Sequence, residues 1–427
     1  MTITELYNIY QQYPGVQTDT RKLQKGDLFF ALKGPNFNAN TLAAKAIEAG
    51  AAFAIIDDAQ YHHPPHTILV DDVLQTLQDL AKHHRQQFKI PFLAVTGTNG
   101  KTTTKELIYQ VLSSHKKTYT TKGNLNNHIG VPLTLLSIKA DAEIAVIEMG
   151  ANHQGEIASY CVYALPTHGL ITNCGKAHLE GFGGEEGVRK GKGELFDFLR
   201  ANGGTAFIMN DYAYLREMSK GIPNIITYGT TSSEFTGSVS NSDPYLKAKV
   251  MIRGKEYDID TQLVGDYNLP NILAAVAVGT YFDIPVEKQL KALVEYSPAN
   301  SRSQLVHKGS NTIIMDAYNA NPTSMKVALE NFAKLKAENK LVMLGAMMEL
   351  GASSNEEHQK VVKMLNNLGF EDVVLVGGDF RGNNKNYIYL DNSQAAAEWL
   401  KSLQLKNTTI LVKGSRSIEM ERLLEAF

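Results

Sequence analysis

Short apolar runs, punctuated by glycines and followed by amphipathic stretches, recur along the whole chain. In the first eighty or so residues, Leu28 to Leu32, Ala52 to Ile56 and Thr67 to Val70 each have the length of a buried strand, and Leu42, Ala43, Ala46 and Ile47 form a helical face that stops at Gly50. The middle of the chain repeats this pattern. Strands are expected at Phe92 to Val95, Ile144 to Ile147 and Gly169 to Thr172, and Leu107, Ile108, Val111 and Leu112 mark a helix after the first of them. Then the period changes: Leu246, Ala248, Val250 and Ile252, followed by Tyr257, Ile259, Thr261 and Leu263, alternate about Arg253-Gly254-Lys255, which predicts a β-hairpin. Beyond residue 301, strand runs at Thr312 to Met315, Leu341 to Leu344, Val373 to Val376 and Ile410 to Val412 are separated by helical faces such as Met325, Leu329, Phe332 and Val361, Leu365, Leu368. Right-handed crossovers between such strands give a parallel, Rossmann-like sheet.

The expected fold class is therefore α/β with three domains: a small N-terminal α/β domain over 1–85, a central parallel-sheet domain with an added β-hairpin over 86–300, and a C-terminal Rossmann-like domain over 301–427. A chain of 427 residues with 43% hydrophobic content has the material for that many cores. Composition also narrows the partners. A formal net charge of -2 and the lack of any long basic run argue against nucleic-acid or membrane-surface binding driven by charge. Ile272 to Phe282, among the longest apolar stretches, falls well short of the roughly 20 residues that span a bilayer. Met1 to Leu6 lacks the basic start and apolar core of a secretory signal, and Cys161 and Cys174 give no reason to invoke a disulfide, so a reducing cytoplasm is the expected setting.

The most informative chemistry lies where the central pattern turns from strand to helix. Thr96-Gly97-Thr98-Asn99-Gly100-Lys101-Thr102-Thr103 reads as a phosphate-binding loop: glycines let the backbone wrap a polyphosphate, and the N–H groups at the helix start point at it. Lys101 adds a point charge, and the Thr102 hydroxyl can coordinate the accompanying magnesium. The general pattern asks for glycine at position 95, where this chain has Val, yet the Gly-Lys-Thr ending and its strand and helix favour phosphate over a turn that binds nothing. Glu148 closes the next buried strand, where a metal-binding carboxylate would be useful.

Weaker signals carry two readings each. Thr18-Asp19-Thr20-Arg21 is a capped turn or a polar ligand site; Gly123 to Pro132, with Asn124, Asn126 and Asn127, is plain turn chemistry or a presentation of amides; Asn268 caps a helix or reaches a nucleotide base. A lone His178 is usually structural, but Glu148 and Thr102 on neighbouring strand ends raise its interest, whereas Lys192 alone reads as a solvated helix lysine. The histidines of Tyr61 to His66 sit among prolines and read as an exposed loop with no site. In the last third, Asp316 to Pro322, Gly345 to Gly351 and Lys413-Gly414-Ser415-Arg416 cluster beyond the strands. No glycine-rich dinucleotide fingerprint follows the first strand there, so the domain is not read as an NAD domain, and two sets of strand-end loops suggest a cleft between domains.

Taken in order, Thr18 to Arg21, Gly26 to Gly34, Thr96 to Thr103, Gly123 to Pro132, Glu148-Met149-Gly150, His178 to Phe182, Lys192-Gly193-Glu194, Asp316 to Pro322 and Lys413 to Arg416 resemble the signatures of the Mur ligases, the ATP-dependent amide-forming enzymes of peptidoglycan synthesis. They span nearly the whole chain. The Tyr318-Asn319-Ala320-Asn321-Pro322 variant resembles the member that joins D-alanyl-D-alanine to UDP-N-acetylmuramoyl-tripeptide. The resemblance implies that Gly97 to Thr103 hold ATP, with Asn268 and Asn271 on the adenine side and Arg302 and Asp316 at phosphate and ribose. It implies two Mg2+ ions placed by Thr102, Glu148, His178 and Lys192, the last carbamylated, and Lys101, Glu148, His178 and Lys192 as the catalytic set. Thr18, Asp19, Arg21, Asn124, Asn127, Lys413 and Arg416 would touch substrate, with the first domain taking the uridine diphosphate, and a monomer is expected. Tyr267 in place of a common His, Ala346 in place of a Gly-Asp-Met run and His128 in place of a frequent Glu depart from the pattern. Two other readings share these features: a Mur-type or folylpolyglutamate synthase-like ligase with another amine acceptor, and a nucleotide-binding module without catalysis.

Overall fold

Strands buried on both faces read as continuous apolar runs, and those runs are where the sheets form. The computed structural model describes residues 1–299, 301–383 and 386–427. Among the described residues, one parallel sheet takes Val16–Gln17, Leu28–Phe30, Phe53–Ile56 and Thr67–Leu69 in that order. A second, of nine strands, orders its parallel part as Asn224–Gly229, Thr205–Met209, His168–Ile171, Phe92–Thr96, Ile144–Glu148 and Thr118–Thr120. The third runs Gln304–Lys308, Asn311–Asp316, Thr408–Lys413, Asn339–Gly345, Val373–Val376 and Ile388–Leu390, parallel except for its first strand.

The helix Lys101–Ser113 buries Leu107, Ile108, Val111 and Leu112, the expected face, against the central sheet and the helix Leu269–Tyr281. That second helix is buried almost all round, from Asn271 to Thr280. An Ala-rich helix with no polar stripe has to be an interior one.

The expected hairpin forms, and it is part of a larger unit. Tyr245–Ile252 and Lys255–Val264 pair across a two-residue turn, and a third strand, Phe235–Ser242, pairs antiparallel with the first of them and parallel with Asn224–Gly229. The result is a three-stranded antiparallel extension that joins the hairpin to the main sheet. Phe235–Ser242 escapes the pattern because Thr236, Ser238, Ser240, Asn241 and Ser242 leave it without an apolar alternation. In the C-terminal sheet, Gln304–Lys308 and Ile388–Leu390 were equally unannounced; both are edge strands with mixed, part-exposed faces.

Candidate active site

Phe92–Thr96 ends between two parallel neighbours, with Val95 level with Glu148 and Thr96 level with Ile171. Ligands of such sheets gather beyond the carboxyl ends of the strands, and residues 97–100 cross that place before the helix Lys101–Ser113 begins. The loop is pinned from one side. The Thr98 and Asn99 N–H groups donate to the carbonyl and side-chain oxygens of Asn173 at 2.8 and 3.0 Å, and Thr172 Oγ1 donates to the Asn99 carbonyl at 2.7 Å. At Gly97 φ is +140°, and a Cβ would lie 2.0 Å from Thr172 Oγ1, so the close approach needs glycine. Lys101 Nζ donates to the Gly97 and Thr98 carbonyls at 2.7 and 3.0 Å, and burial pushes its ammonium down to about 8 against the opposing pull of Glu148.

Across the loop, Glu148 Oε1 accepts from Thr102 Oγ1 at 3.2 Å and from Asn126 Nδ2 at 2.7 Å. Its Oε2 is buried and, among the described residues, has no hydrogen-bond partner. A carboxylate oxygen out of water without a donor is costly unless a cation reaches it, so this atom fits a metal ion beside the phosphate loop. Among the described residues, no three His, Cys, Asp or Glu side chains gather into a metal site of their own.

Lys192 is buried, which corrects its reading as a solvated helix lysine. Its Nζ donates to the Ala151 carbonyl at 2.8 Å and stands 4.8 Å from the Phe182 ring centre. Burial first, and then the charge of Lys101, pushes this amine down to about 7. Glu194 fixes the neighbourhood: its two oxygens accept from the Gly155 and Ala158 N–H groups at 2.5 and 2.9 Å, tying the helix Glu185–Asn202 to the start of Glu156–Ala164. His178 has φ of +50° and its Nδ1 lies 2.6 Å from Glu349 Oε2 of the C-terminal part, a pairing that holds the Glu349 carboxyl below its usual range.

The phosphate loop, Glu148 and His178 open on one cleft of about 600 Å³ between the central and C-terminal sheets, lined also by Lys101, Asn271, Arg302 and Asp316, and Lys192 is buried beside it against the lining residue Ala151. A loop of N–H donors, a lysine, an orphan carboxylate oxygen and a buried amine of lowered pKa can hold a triphosphate, a divalent cation and an acyl group in one place.

Comparison with known proteins agrees with this geometry. The Mur ligase middle domain matches residues 95–279, and the Mur ligase, glutamate ligase domain matches 301–416. A Bacillus subtilis protein named UDP-N-acetylmuramoyl-tripeptide--D-alanyl-D-alanine ligase is 34% identical over 96% of this chain and 92% of its own. The chain belongs to the Mur ligase family. Among solved structures, MurF from Acinetobacter baumannii superposes with a TM-score of 0.87 at 29% identity, covering 98% of this chain and 97% of that one. A MurF ligase from Thermotoga maritima in complex with ADP gives a TM-score of 0.86 at 27% identity, covering 97% and 96%. Membership in this family makes the chain an ATP-binding ligase with the three-domain α/β fold expected above.

Within this Mur ligase the remaining candidates fall into three places. Asn268 and Asn271 sit at the cleft: Asn271 Oδ1 accepts from Thr104 Oγ1 at 2.9 Å, and its Nδ2 donates to Asn268 Oδ1 at 2.8 Å. Asn268 makes no side-chain cap of the helix Leu269–Tyr281, so the capping reading fails; its Nδ2 donates instead to the Val264 carbonyl at 2.9 Å. Asp316 Oδ2 accepts from Lys413 Nζ at 2.6 Å, and Arg302 Cζ lies over Tyr318, 3.7 Å from its ring centre, with Arg416 Cζ 5.4 Å from the same ring centre. The helix-turn reading of 123–132 holds for Asn127, whose Oδ1 accepts from the Gly130 N–H at 2.8 Å, while Asn126 is the asparagine that presents an amide to the site; Asn124 is exposed. Asp19 caps the turn Thr20–Lys22 and pairs with Arg21 at 2.8 Å, and with Thr18 this cluster lies on the N-terminal sheet, outside the cleft lining. The histidines of 61–66 stay unassigned; His62 Nδ1 meets Thr67 Oγ1 at 2.9 Å. His128 is exposed, Tyr267 reaches Ser303 Oγ at 2.7 Å, and Ala346 is buried with its N–H on the Val376 carbonyl. Sequence reasoning named Asn126 only as one of three asparagines able to present amides and gave no role to Glu194 or Glu349, although all three lie inside motifs it had marked.

Proposed function

We propose that this protein joins D-alanyl-D-alanine to UDP-N-acetylmuramoyl-tripeptide in peptidoglycan precursor synthesis, with ATP converted to ADP and phosphate. The observation that carries this reading is the cleft itself, where the phosphate loop and the orphan Glu148 oxygen meet residues of the C-terminal sheet, with Lys192 buried behind the cleft-lining Ala151. The name of the Bacillus subtilis relative, matched over nearly its whole length, supports the choice of substrates. In this reading the tripeptide carboxylate attacks the γ-phosphorus, the bond to the β–γ bridging oxygen breaks, and ADP leaves. The dipeptide amine then attacks the acyl phosphate carbonyl, losing a proton as phosphate departs.

Residues 1–85 take the uridine diphosphate end, with Thr18, Asp19 and Arg21 as contacts; residues 86–300 hold ATP on Gly97 to Thr103, Asn268 and Asn271; residues 301–427 bring Arg302, Asp316, Lys413 and Arg416. Lys101 and the loop N–H groups offset the charge crowding between carboxylate and triphosphate. Thr102, Glu148, His178 and Lys192 would hold two Mg2+ ions, which when bound neutralise phosphate charge as Lewis acids. An amine lowered to about 7 has a substantial unprotonated fraction at neutral pH, so Lys192 can attack carbon dioxide, forming an N–C bond and releasing a proton to solvent. The carbamate would turn a would-be cation into an anionic oxygen ligand.

Phosphate release from ATP and Mg2+ with UDP-N-acetylmuramoyl-tripeptide, with and without D-alanyl-D-alanine, tests the reading, with mass analysis of the product. Release that needs both substrates and yields the pentapeptide is expected. Turnover with a single amino acid instead would move the protein to another branch of the family, and ATP binding without any amide product would leave a binding module.

A further inference from the structure

Among the described residues, the side-chain hydrogen bonds from the phosphate loop to the C-terminal part of the chain run through Asn99. Asn99 has its backbone fully engaged by Thr172 and Asn173, in three hydrogen bonds of 2.7 to 3.0 Å, so only its amide group is free to reach outward. It meets Asn321, 222 positions away: Asn321 Nδ2 donates to Asn99 Oδ1 at 2.8 Å, and Asn99 Nδ2 lies 3.5 Å from Asn321 Oδ1. Asn321 is itself held. Its Oδ1 accepts from the Ser324 N–H at 2.9 Å and its N–H donates to Ser324 Oγ at 3.1 Å, a capping box that starts the helix Pro322–Lys334. Two rigid elements, each fixed by its own bonds, therefore meet through one pair of neutral amides.

The segment that pins the loop is gripped from the same side. The Lys176 N–H donates to Thr323 Oγ1 at 2.9 Å, and a Cβ on Gly175 would come within 2.8 Å of that oxygen, so the two parts are in van der Waals contact there. His178 with Glu349 and Lys176 with Glu357 continue the seam outward. The outer contacts are charged and partly exposed, where solvent weakens them. At the inner end, beside a site for triphosphate and metal, a neutral amide pair can close the seam without competing for either charge.

We infer that the Asn99–Asn321 amide pair is a positioning contact that locks the C-terminal domain onto the ordered phosphate loop and so keeps water from the acyl phosphate until the amine attacks. The inference rests on the ligase reading above. Asn321→Ser is the variant of choice, because a serine still caps the helix but is too short to reach Asn99; Asn321→Ala, which loses cap and contact together, measures the cap separately. In the coupled assay with all three substrates, wild type is expected to release one phosphate for each amide formed. Asn321→Ser should lower amide formation about tenfold, the scale of a lost positioning contact, while KM for ATP changes little. It should also release phosphate in excess of amide, because acyl phosphate is then lost to water. A purely structural role would reduce both products in a fixed one-to-one ratio, and that result, or amide formation at the wild-type rate, overturns the inference. Small-angle scattering with a non-hydrolysable ATP analogue gives a readout apart from turnover: a larger radius of gyration for Asn321→Ser than for wild type is expected, and identical profiles overturn the inference. If wild type forms no amide, the ligase reading fails and the scattering comparison alone decides whether the pair closes the seam. Asn99→Ala breaks the pair from the other side with the helix cap intact, and should reproduce the scattering difference.

Discussion

At the strand ends of the central sheet a buried carboxylate oxygen, Glu148 Oε2, is left without a donor among the described residues, and the amine of Lys192 is pushed down to about 7 by burial and by the charge of Lys101. At the corresponding ends of the C-terminal sheet, Asp316 and Lys413 face each other across adjacent strands and close an ion pair at 2.6 Å, with side chains 19% and 2% exposed. Both sheets are parallel in their main part, both bury apolar strands, and both present polar residues at the same edge. They differ in what folding leaves unsatisfied. The C-terminal pair balances its charges within the protein even though both residues line the cleft as proposed ligand contacts; the central groups are incomplete and gain when a cation, a phosphate or carbon dioxide arrives. A receptive site is thus distinguished from a supporting one by its unbalanced charges rather than by its topology.

The sharpest break of this comparison is Lys192→Ala. If the lowered amine becomes an anionic metal ligand, its loss should cut turnover by about 10²–10³-fold, the scale seen when one preorganised transition-state contact is removed, and added bicarbonate should restore nothing. The pH dependence follows with a definite sign. Lys192 sheds its proton near 7 in the folded chain and near its ordinary value of 10.5 in the unfolded one. Between those values the unfolded state binds the extra proton, so stability rises with pH across that window, and below about 7 the full burial penalty is present. Lys101, pushed down to about 8, adds the same sign over a narrower range. Urea midpoints at neutral and alkaline pH should show this rise in wild type and a weaker one in Lys192→Met.

Substituting the two carboxylate systems in parallel sharpens the contrast. Lys413→Met strands Asp316 without its ion and should cost about 3–5 kcal/mol of stability, part of which Asp316→Leu in the same chain recovers. Glu148→Gln removes a charge that the folded protein balances only in part, since Oε2 has no hydrogen-bond partner among the described residues. It should leave the unfolding midpoint unchanged or raised, since active sites give up stability for function, while amide formation falls steeply. Equal destabilisation by both substitutions would erase the distinction between a receptive and a supporting strand end.

How far the sequence discloses all this depends on the distance over which each signal acts. The phosphate loop is contiguous, and strand, glycines and helix face are read within twenty residues; the strands of the C-terminal sheet are as plain, because a strand covered on both faces is an uninterrupted apolar run. Phe235–Ser242 is hidden because it has no apolar face to announce it, and the edge strand Ile388–Leu390 because it is short and partly exposed. The burial of Lys192 could not be read from Gly191-Lys192-Gly193-Glu194, since its walls, Ala151 and Phe182, come from elsewhere in the chain. The Asn99–Asn321 contact joins two motifs that were each visible, but nothing local says that they touch.

The smallest effect is expected on the N-terminal sheet, which presents a third arrangement. Arg21 is exposed, and its guanidinium meets Asp19 in a two-pronged contact, Nε to Oδ1 at 2.9 Å and Nη2 to Oδ2 at 2.8 Å. That contact holds the Asp19 carboxyl down to about 2, so whatever it adds to folding is present above the ordinary carboxylate range and fades as pH falls toward 2. Solvent screens such a pair, and Arg21→Ala should barely move the unfolding midpoint at neutral pH. If the cluster serves only as a capped turn, nothing else changes. If the guanidinium is held by Asp19 in order to meet a diphosphate, Arg21→Ala raises KM for the UDP-linked substrate several-fold, by roughly the worth of one charge-assisted contact, and leaves KM for ATP as it was. An unchanged KM for both would make this polar cluster a self-satisfied turn, complete like the Asp316–Lys413 pair, and would confine the receptive chemistry of the chain to the central cleft.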